Sequence, residues 1–480
     1  MFTDLEFLKV GKQWTPKNAT YQKRQENYVN GRLMYEGDLE AVFGDAWRAI
    51  ASRYGLNYTE IQQVMVKVNL FKALTETFKI LAFKTEPEAW IGEGDKAKKL
   101  EKDIYNPKLL LEKLKQAFVS CHVQGNSVLK VYSSSKGEPD ISVVNAENWI
   151  PIKNPENLNE IQAHVVAETY EVDNTSTIMG ISVDNKKKYL SVEVHRRGSY
   201  DKILFELDKR DVISREISRE DNIKTGFDGF LVFPFDYGVP AWREWGKSAY
   251  DDIISLVDEI VVRLSNNSKI LDEHADPQPI VTRDMLEFDE NTGEYTYKRH
   301  KALCYGKNGE MPAYLTWDGN LESSEKQLDR VMDLFYMLSG TNPQLFGQDV
   351  AGNLSGEALQ KIFIVPIAKT KEMVLSLEDA FENALNCILK LKGRQETVNI
   401  KFNIGQFNSE SEITARVVQE KNAGITSIKR AVEEINPRYT EEEVALEVEQ
   451  INKDRQSESM TDINSLFPTD EGDKNLNEQG

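Results

Sequence analysis

The sequence predicts an α+β fold, with helix-rich ends flanking a strand-rich middle, and three observations carry that prediction. Between residues 1 and 120, apolar side chains recur at three- and four-residue spacing, the period of a helix with one buried stripe. From about 125 to 238 the texture changes to short β-branched and aromatic runs separated by Gly, Asn, Asp and Pro. From 246 onward helical periodicity returns in long segments, interrupted by one turn-rich insertion.

At 480 residues the chain exceeds one ordinary core, so several packed units are expected. Its 40% hydrophobic and 29% charged residues place it among soluble globular proteins. No run of about 18 apolar residues occurs, and MFTDLEFLKVGKQWTP lacks the order of a signal peptide. An intracellular chain with no membrane contact is therefore expected. Cys121, Cys304 and Cys387 have no CxxC spacing, so idle thiols are expected rather than a disulfide framework or a zinc module. The net charge of −19 argues against a tight nucleic-acid binder. It is compatible with a wall that DNA slides past without sticking.

Taken in order, the helical stretches are GDLEAVFGDAWRAIASRYG, TEIQQVMVKVNLFKALTETFKILAF and NPKLLLEKLKQAFVSCHVQG. Strands follow in NSVLKVYSSSKGEPDISVVNAENWIPI, IQAHVVAETYEV, KKYLSVEVHRRGSYDKILFELD and GFLVFPFDYG. From Tyr250 a helix carries two apolar stripes, one of Tyr250, Ile254, Val257, Val261 and Leu264, the other of Ile253, Leu256 and Ile260. Such a helix needs neighbours on more than one side. Asp251, Asp252, Asp258 and Glu259 are assigned to its exposed face.

Residues 276 to 322 read as two small hairpins, with strands at 279–282, 294–298, 302–305 and 314–317 and turns at NTG and GKNG. A second helix is expected from Ser324, in a capping box with Gln327, and Leu328, Val331, Phe335 and Leu338 recur along it. Gly340 ends it, and a Gly-, Asn- and Gln-rich loop leads to Ser355, the expected N-cap of a long helix from 357 to 391. Pro366 should kink or divide that helix near Val365. After the strand VNIKF come three helices, the last opening at Thr440 with Glu443 at capping-box spacing, and the tail from Ser457 reads as disordered.

Catalytic motifs fail on spacing. Gly246-Lys247-Ser248 imitates the end of a phosphate-binding loop, but Ala241 stands where that motif needs glycine. GNLSG at 352–356 has the wrong spacing for a nucleophile elbow. His122, His164, His195, His274 and His300 have no zinc-binding spacing. Asp289-Glu290-Asn291-Thr292-Gly293 starts like a calcium loop, yet the twelfth position holds His300, and a hairpin turn explains it better. No enzyme, cofactor or metal is expected.

Several motifs in this order resemble the portal (head-to-tail connector) proteins of tailed double-stranded DNA bacteriophages, of the siphophage type. They are SAYDDIISLVDEIVVRLS, SGTNPQLFGQDVAGNLSGEALQKIF and AGITSIKRAVEEINPRYTEEEVALEVEQI, and the likeness runs from roughly 25 to 455. The resemblance implies a portal fold: a mixed α/β wing at 1–245, stem helices at 246–275 and 323–340, and a clip at 276–322. It further implies a tunnel loop at 341–356, a kinked long helix with a wing strand at 357–410, a helical crown at 411–456 and a disordered acidic tail at 457–480. It implies a ring, normally of twelve subunits, at one capsid vertex, with double-stranded DNA in transit. The implied partners are a terminase motor, scaffold and major capsid proteins, and head-completion (adaptor) proteins. The implied location is the virion, and the host cytoplasm during assembly.

On that mapping Asn342, Gln344, Gln348 and Asn353 face DNA, with Gly347 and Gly352 as hinges, while Lys361, Lys369 and Lys371 are candidate phosphate contacts set against an ordinary ion-paired role. Glu325, Asp329 and Asp333 read as surface charges. Packing between stem subunits is expected from Ile253, Ile254, Val257, Ile260, Val261, Leu264, Leu328, Val331, Phe335 and Leu338. The alternative is another structural virion component, such as a minor head protein without a channel.

Overall fold

The computed structural model describes residues 3–15, 18–53, 59, 65–92, 97–173, 176–178, 181–183, 186–237, 239, 243, 245–275, 279–280, 287–289, 294–296, 313–314, 322–348, 361–404, 410–436 and 439–466. The chain divides into two compact units, Met1–Asp349 with Phe363–Ile404, and Val350–Ile362 with Gly405–Gly480.

The first unit opens with α1 (Ala19–Glu36), whose N-cap Asn18 accepts from the backbone of Thr20 and Tyr21. Its core face is Tyr21, Arg24, Tyr28, Gly31 and Met34. Apolar periodicity misses this helix because an arginine and a glycine occupy two of those five positions. Gly31 is required by packing, since a Cβ there would lie 2.7 Å from the Val123 carbonyl oxygen. Helix α2 (Leu39–Arg53) follows, then α3 (Leu70–Phe83). The latter is shorter than the stretch 59–83 expected from periodicity. Asn69 caps it by accepting from Lys72 N, and Val66 lies outside any helix or strand, its amide donating to Ser265 Oγ at 2.9 Å.

Strands β1 (Glu88–Ile91) and β2 (Lys98–Lys99) precede α4 (Pro107–Gln124), which has Asn106 as cap, proline in its first turn and left-handed Gly125 after its end. The strand-rich layer is β3 (Asn126–Ser133), β4 (Pro139–Val144), β5 (Trp149–Lys153), β6 (Ile161–Asp173), β7 (Ser176–Ile178), β8 (Ile181–Val183), β9 (Lys186–Arg196), β10 (Ser199–Leu207), β11 (Ile213–Lys224) and β12 (Val232–Asp236). One antiparallel sheet has the order β11-β10-β9-β6-β5, and a second has β12-β3-β4. Alternate residues of the large sheet, including Val165, Leu190, Val192, Val194, Ile203 and Phe205, bury one face against Phe7, Leu8 and Tyr21. Its edge strand β11 is almost wholly exposed and rich in alternating charge, which discourages edge-to-edge pairing.

Helix α5 (Ile254–Ala275) begins four residues later than periodicity suggests, because 250–253 form a hydrogen-bonded turn. In the insertion, β13 (Pro279–Ile280) pairs with β16 (Ala313–Tyr314), and β14 (Glu287–Asp289) with β15 (Glu294–Thr296). Asp289 thus pairs with Glu294 across the NTG hairpin. The expected strand at 302–305, the GKNG turn, Cys304 and His300 lie outside the described residues.

Helix α6 (Glu322–Ser339) starts before Ser324. Instead of capping, Ser324 Oγ donates to Asn267 Oδ1 of α5 at 2.6 Å, tying the two helices. Helix α7 (Ile364–Leu391) carries Pro366 in its first turn, where no intrahelical donor is needed. The division falls at Phe363, which has φ −94° and ψ 8°.

Strand β17 (Val398–Lys401) pairs with β1 on one side. Its other side is satisfied by α7. The amides of Val398, Ile400 and Phe402 donate to Asn386 Oδ1, Glu382 Oε1 and Glu378 Oε1 at 2.7, 2.7 and 2.8 Å. Four helical residues rise about 6 Å and two strand residues about 6.6 Å, so the two ladders stay in step.

In the second unit, α8 (Glu410–Asn422) and α9 (Ile428–Ile435) precede α10 (Glu441–Leu466). The expected capping box is present: Thr440 N donates to Glu443 Oε2 at 2.7 Å and Glu443 N to Thr440 Oγ1 at 3.3 Å. The chain is helical to Leu466, and 467–480 lie outside the described residues.

The sharpest constraint joins α4 to the approach of α5. A Cβ on Gly246 would lie 1.7 Å from the Gly125 carbonyl oxygen, and one on Gly125 would lie 2.6 Å from Lys247 C. Gly246→Ala is expected to lower stability by about 3 kcal/mol, read from the urea midpoint. The control Gly137→Ala, where nothing lies within 4 Å and φ is +80°, should lose only about 1 kcal/mol from backbone strain.

Candidate functional site

The site comprises the paired helices α5 and α6, the loop from Gly340 to Gln348, and Lys369 of α7, which reaches the end of α6. Helix α5 is set on the fold by its approach: Gly246 N donates to Asn126 Oδ1 at 2.9 Å, Lys247 N to Tyr237 O at 3.2 Å and Ser248 Oγ to Val123 O at 2.7 Å. These contacts explain the false phosphate-loop signature, since Gly246-Lys247-Ser248 serves backbone packing. Beside it, Thr75 Oγ1 hydrogen-bonds both His122 Nδ1 at 3.0 Å and the Tyr250 hydroxyl at 2.5 Å, in full burial. Sequence reading missed this trio because its members lie on three elements.

Ile253, Val257, Ile260, Val261, Val331 and Phe335 are buried within one chain. Helix α6 packs along α5, and Trp47 of α2 reaches it through Asp258. Ile254, Leu264 and Leu328 remain half-buried, and Leu334, Met337 and Leu338 are 37%, 65% and 43% exposed. Asp258 is not a free surface charge: its Oδ1 accepts from Trp47 Nε1 at 2.7 Å, and burial raises its pKa. Glu325, Asp329 and Asp333 are exposed.

Gly340 ends α6 in the left-handed region at φ +69°, with Thr341 N bonded to Tyr336 O. Lys369, from α7, reaches this end and donates to Ser339 O at 3.0 Å and, at 3.5 Å, to Leu338 O. A cation on the carbonyl end of a helix is favourable, while burial lowers the lysine pKa. Lys369 is therefore engaged within the chain at the end of α6. Lys361 and Lys371 are exposed.

The first half of the loop is an ordered turn. Pro343–Phe346 forms a 3-10 helix, and Asn342 Oδ1 caps it by accepting from Leu345 N at 3.1 Å. Phe346 packs on Phe335 and Tyr336, with ring centroids 6.0 and 5.7 Å apart. Gly347 supplies the left-handed residue at φ +88°. Gln344 is half-buried and Gln348 exposed, while Gly352, Asn353 and Ser355 lie outside the described residues.

Among the described residues, no group of three or more His, Cys, Asp or Glu is placed to hold a metal, and no helix is long and apolar enough to cross a membrane. Cys121 and Cys387 are buried, and burial pushes the Cys387 thiol up to about 12. His164 accepts from Trp149 Nε1, and His195 hydrogen-bonds Glu193.

The family described as "Phage portal protein, SPP1 Gp6-like" matches residues 16–460. The chain belongs to this phage portal family. The family is one of structural proteins, and membership assigns a phage portal role. No curated protein matches the chain. Among solved structures, a chain of "Neck of empty GTA particle computed with C6 symmetry" is 11% identical, covering 75% of this chain and 87% of that one at a TM-score of 0.45. A chain of "Virion of native gene transfer agent (GTA) particle" is 11% identical, with coverage of 76% and 88% and a TM-score of 0.42. One of "Neck of native GTA particle computed with C12 symmetry" is 12% identical, with coverage of 76% and 89% and a TM-score of 0.40.

Burial depresses the pKa of His122 to about 3, with a smaller contribution from the charge of Lys369. Below the ordinary value of 6.5 the unfolded chain takes up a proton that native His122 refuses, so its contribution is lost as pH falls from 6.5 toward 3. Moving from pH 7 to pH 5 should cost about 2 kcal/mol at this residue. Urea midpoints of the wild type and His122→Phe at both pH values check it: the variant should lose correspondingly less.

Proposed function

We propose that the protein forms a closed ring, of twelve subunits, at one vertex of the capsid, and that double-stranded DNA passes through its axis during packaging and ejection. The observation that carries this reading is the family match over residues 16–460, which spans the paired helices, the hairpin insertion, the capped loop and the long helix. A ring requires heterologous contacts that close by rotation. Leu334, Met337 and Leu338, with half-buried Ile254, Leu264 and Leu328, supply apolar surface for such a contact along the paired helices.

Gln344, Gln348 and Asn353 face the channel, where uncharged polar groups touch a moving phosphate backbone without reading sequence. Lys361 and Lys371 are the remaining candidate phosphate contacts, and the acidity of the chain as a whole keeps DNA from adhering. The 276–322 insertion docks a separate terminase ATPase first and head-completion (adaptor) proteins later, and assembly in the host cytoplasm engages scaffold and major capsid proteins. No catalytic residue belongs to this reading.

Electron microscopy of the purified protein, with native mass analysis, tests the ring. Closed rings with an axial opening of about 20 Å or more, the width of a duplex, are expected; a compact dimer without an opening would sink the reading. Deleting residues 344–353 should block packaging while rings still assemble, and normal packaging by that variant would remove the channel role of the loop.

A further inference from the structure

Arg24 is 3% exposed, yet no carboxylate bonds to it among the described residues. Its Nε donates to the Tyr28 hydroxyl at 2.8 Å, and Nη2 donates to Trp149 O at 3.2 Å and Ala146 O at 3.5 Å. The guanidinium lies 3.6 Å from the Trp245 ring centroid. Two buried donors remain without a partner, Arg24 Nη1 and Trp245 Nε1. A buried charge is ordinarily paired, and each unpartnered buried donor costs about 1–3 kcal/mol.

Both residues line one cavity of about 590 Å³. Its wall also holds Thr20 from the first turn of α1, whose dipole is positive there, and the exposed cations Lys23 and Arg243. The one acidic side chain in the wall, Asp251, lies 3.6 Å from Arg243. Three cations against one carboxylate, in a chain of net charge −19, are a local inversion of sign.

We propose that this cavity binds a small phosphate-bearing anion, either inorganic phosphate or the phosphate of a nucleotide. Cations from α1 and from residue 243, together with the unpartnered guanidinium nitrogen of Arg24, suit a dianion with several acceptor oxygens better than a single carboxylate. The volume suits a ligand of nucleotide size as well as the free ion. The inference is independent of ring formation, since every residue named belongs to one chain.

Isothermal titration calorimetry of the full-length protein at fixed ionic strength in chloride tests it, with inorganic phosphate and AMP as separate probes. Saturable binding of at least one probe is expected, weakened about tenfold or more in the double variant Lys23→Ala/Arg243→Ala, whose side chains are exposed and whose removal leaves the core intact. Arg24→Gln should abolish it; should that variant fail to fold, the exposed pair still decides. Tighter AMP than phosphate assigns a nucleotide, and equal or weaker AMP assigns the free ion. No saturable heat from either probe up to about 10 mM, or equal binding by the double variant, overturns the proposal.

Discussion

The structure depends on the backbone contact between Gly125 and Gly246. It fixes where the approach of α5 crosses the end of α4, at a distance no side chain would tolerate. Because Asn126, Val123 and Tyr237 bond the same few residues, the strand layer and the paired helices share one joint. The buried Thr75, His122 and Tyr250 trio lies beside it and extends the joint to α3.

A second theme is the use of polar side chains to complete backbone ladders. Glu378, Glu382 and Asn386 act as the missing strand beside β17, and Lys369 closes the carbonyl end of α6. In each case the charge or amide sits where an unpaired backbone group would otherwise be shielded from water. Read from sequence alone, the same lysine invited a role at DNA, because a cation on a long helix carries no mark of its partner.

The family, and with it the portal role, was legible from motif order, and the separate match over residues 16–460 agrees. Local chemistry was legible too where it depended on neighbours in sequence. The Thr440–Glu443 capping box and the glycine stop at Gly340 follow from residue type and spacing. Where spacing was read without tertiary context, it misled. Ser324 had the spacing of a cap and instead bonds Asn267.

The sequence by itself determined the α+β class, the alternation of helical and strand texture, and the caps, because these arise from contacts within a few residues. Only the tertiary structure decided that Ile253, Val257, Ile260 and Val331 are buried within one chain, that Asn342 caps a turn, and that Arg24 stands beside a cation-lined cavity. An apolar stripe states that a face must be covered and not by what. The same holds for a charge, whose role is set by a partner that can lie more than a hundred residues away, as Ala146 and Trp149 do from Arg24.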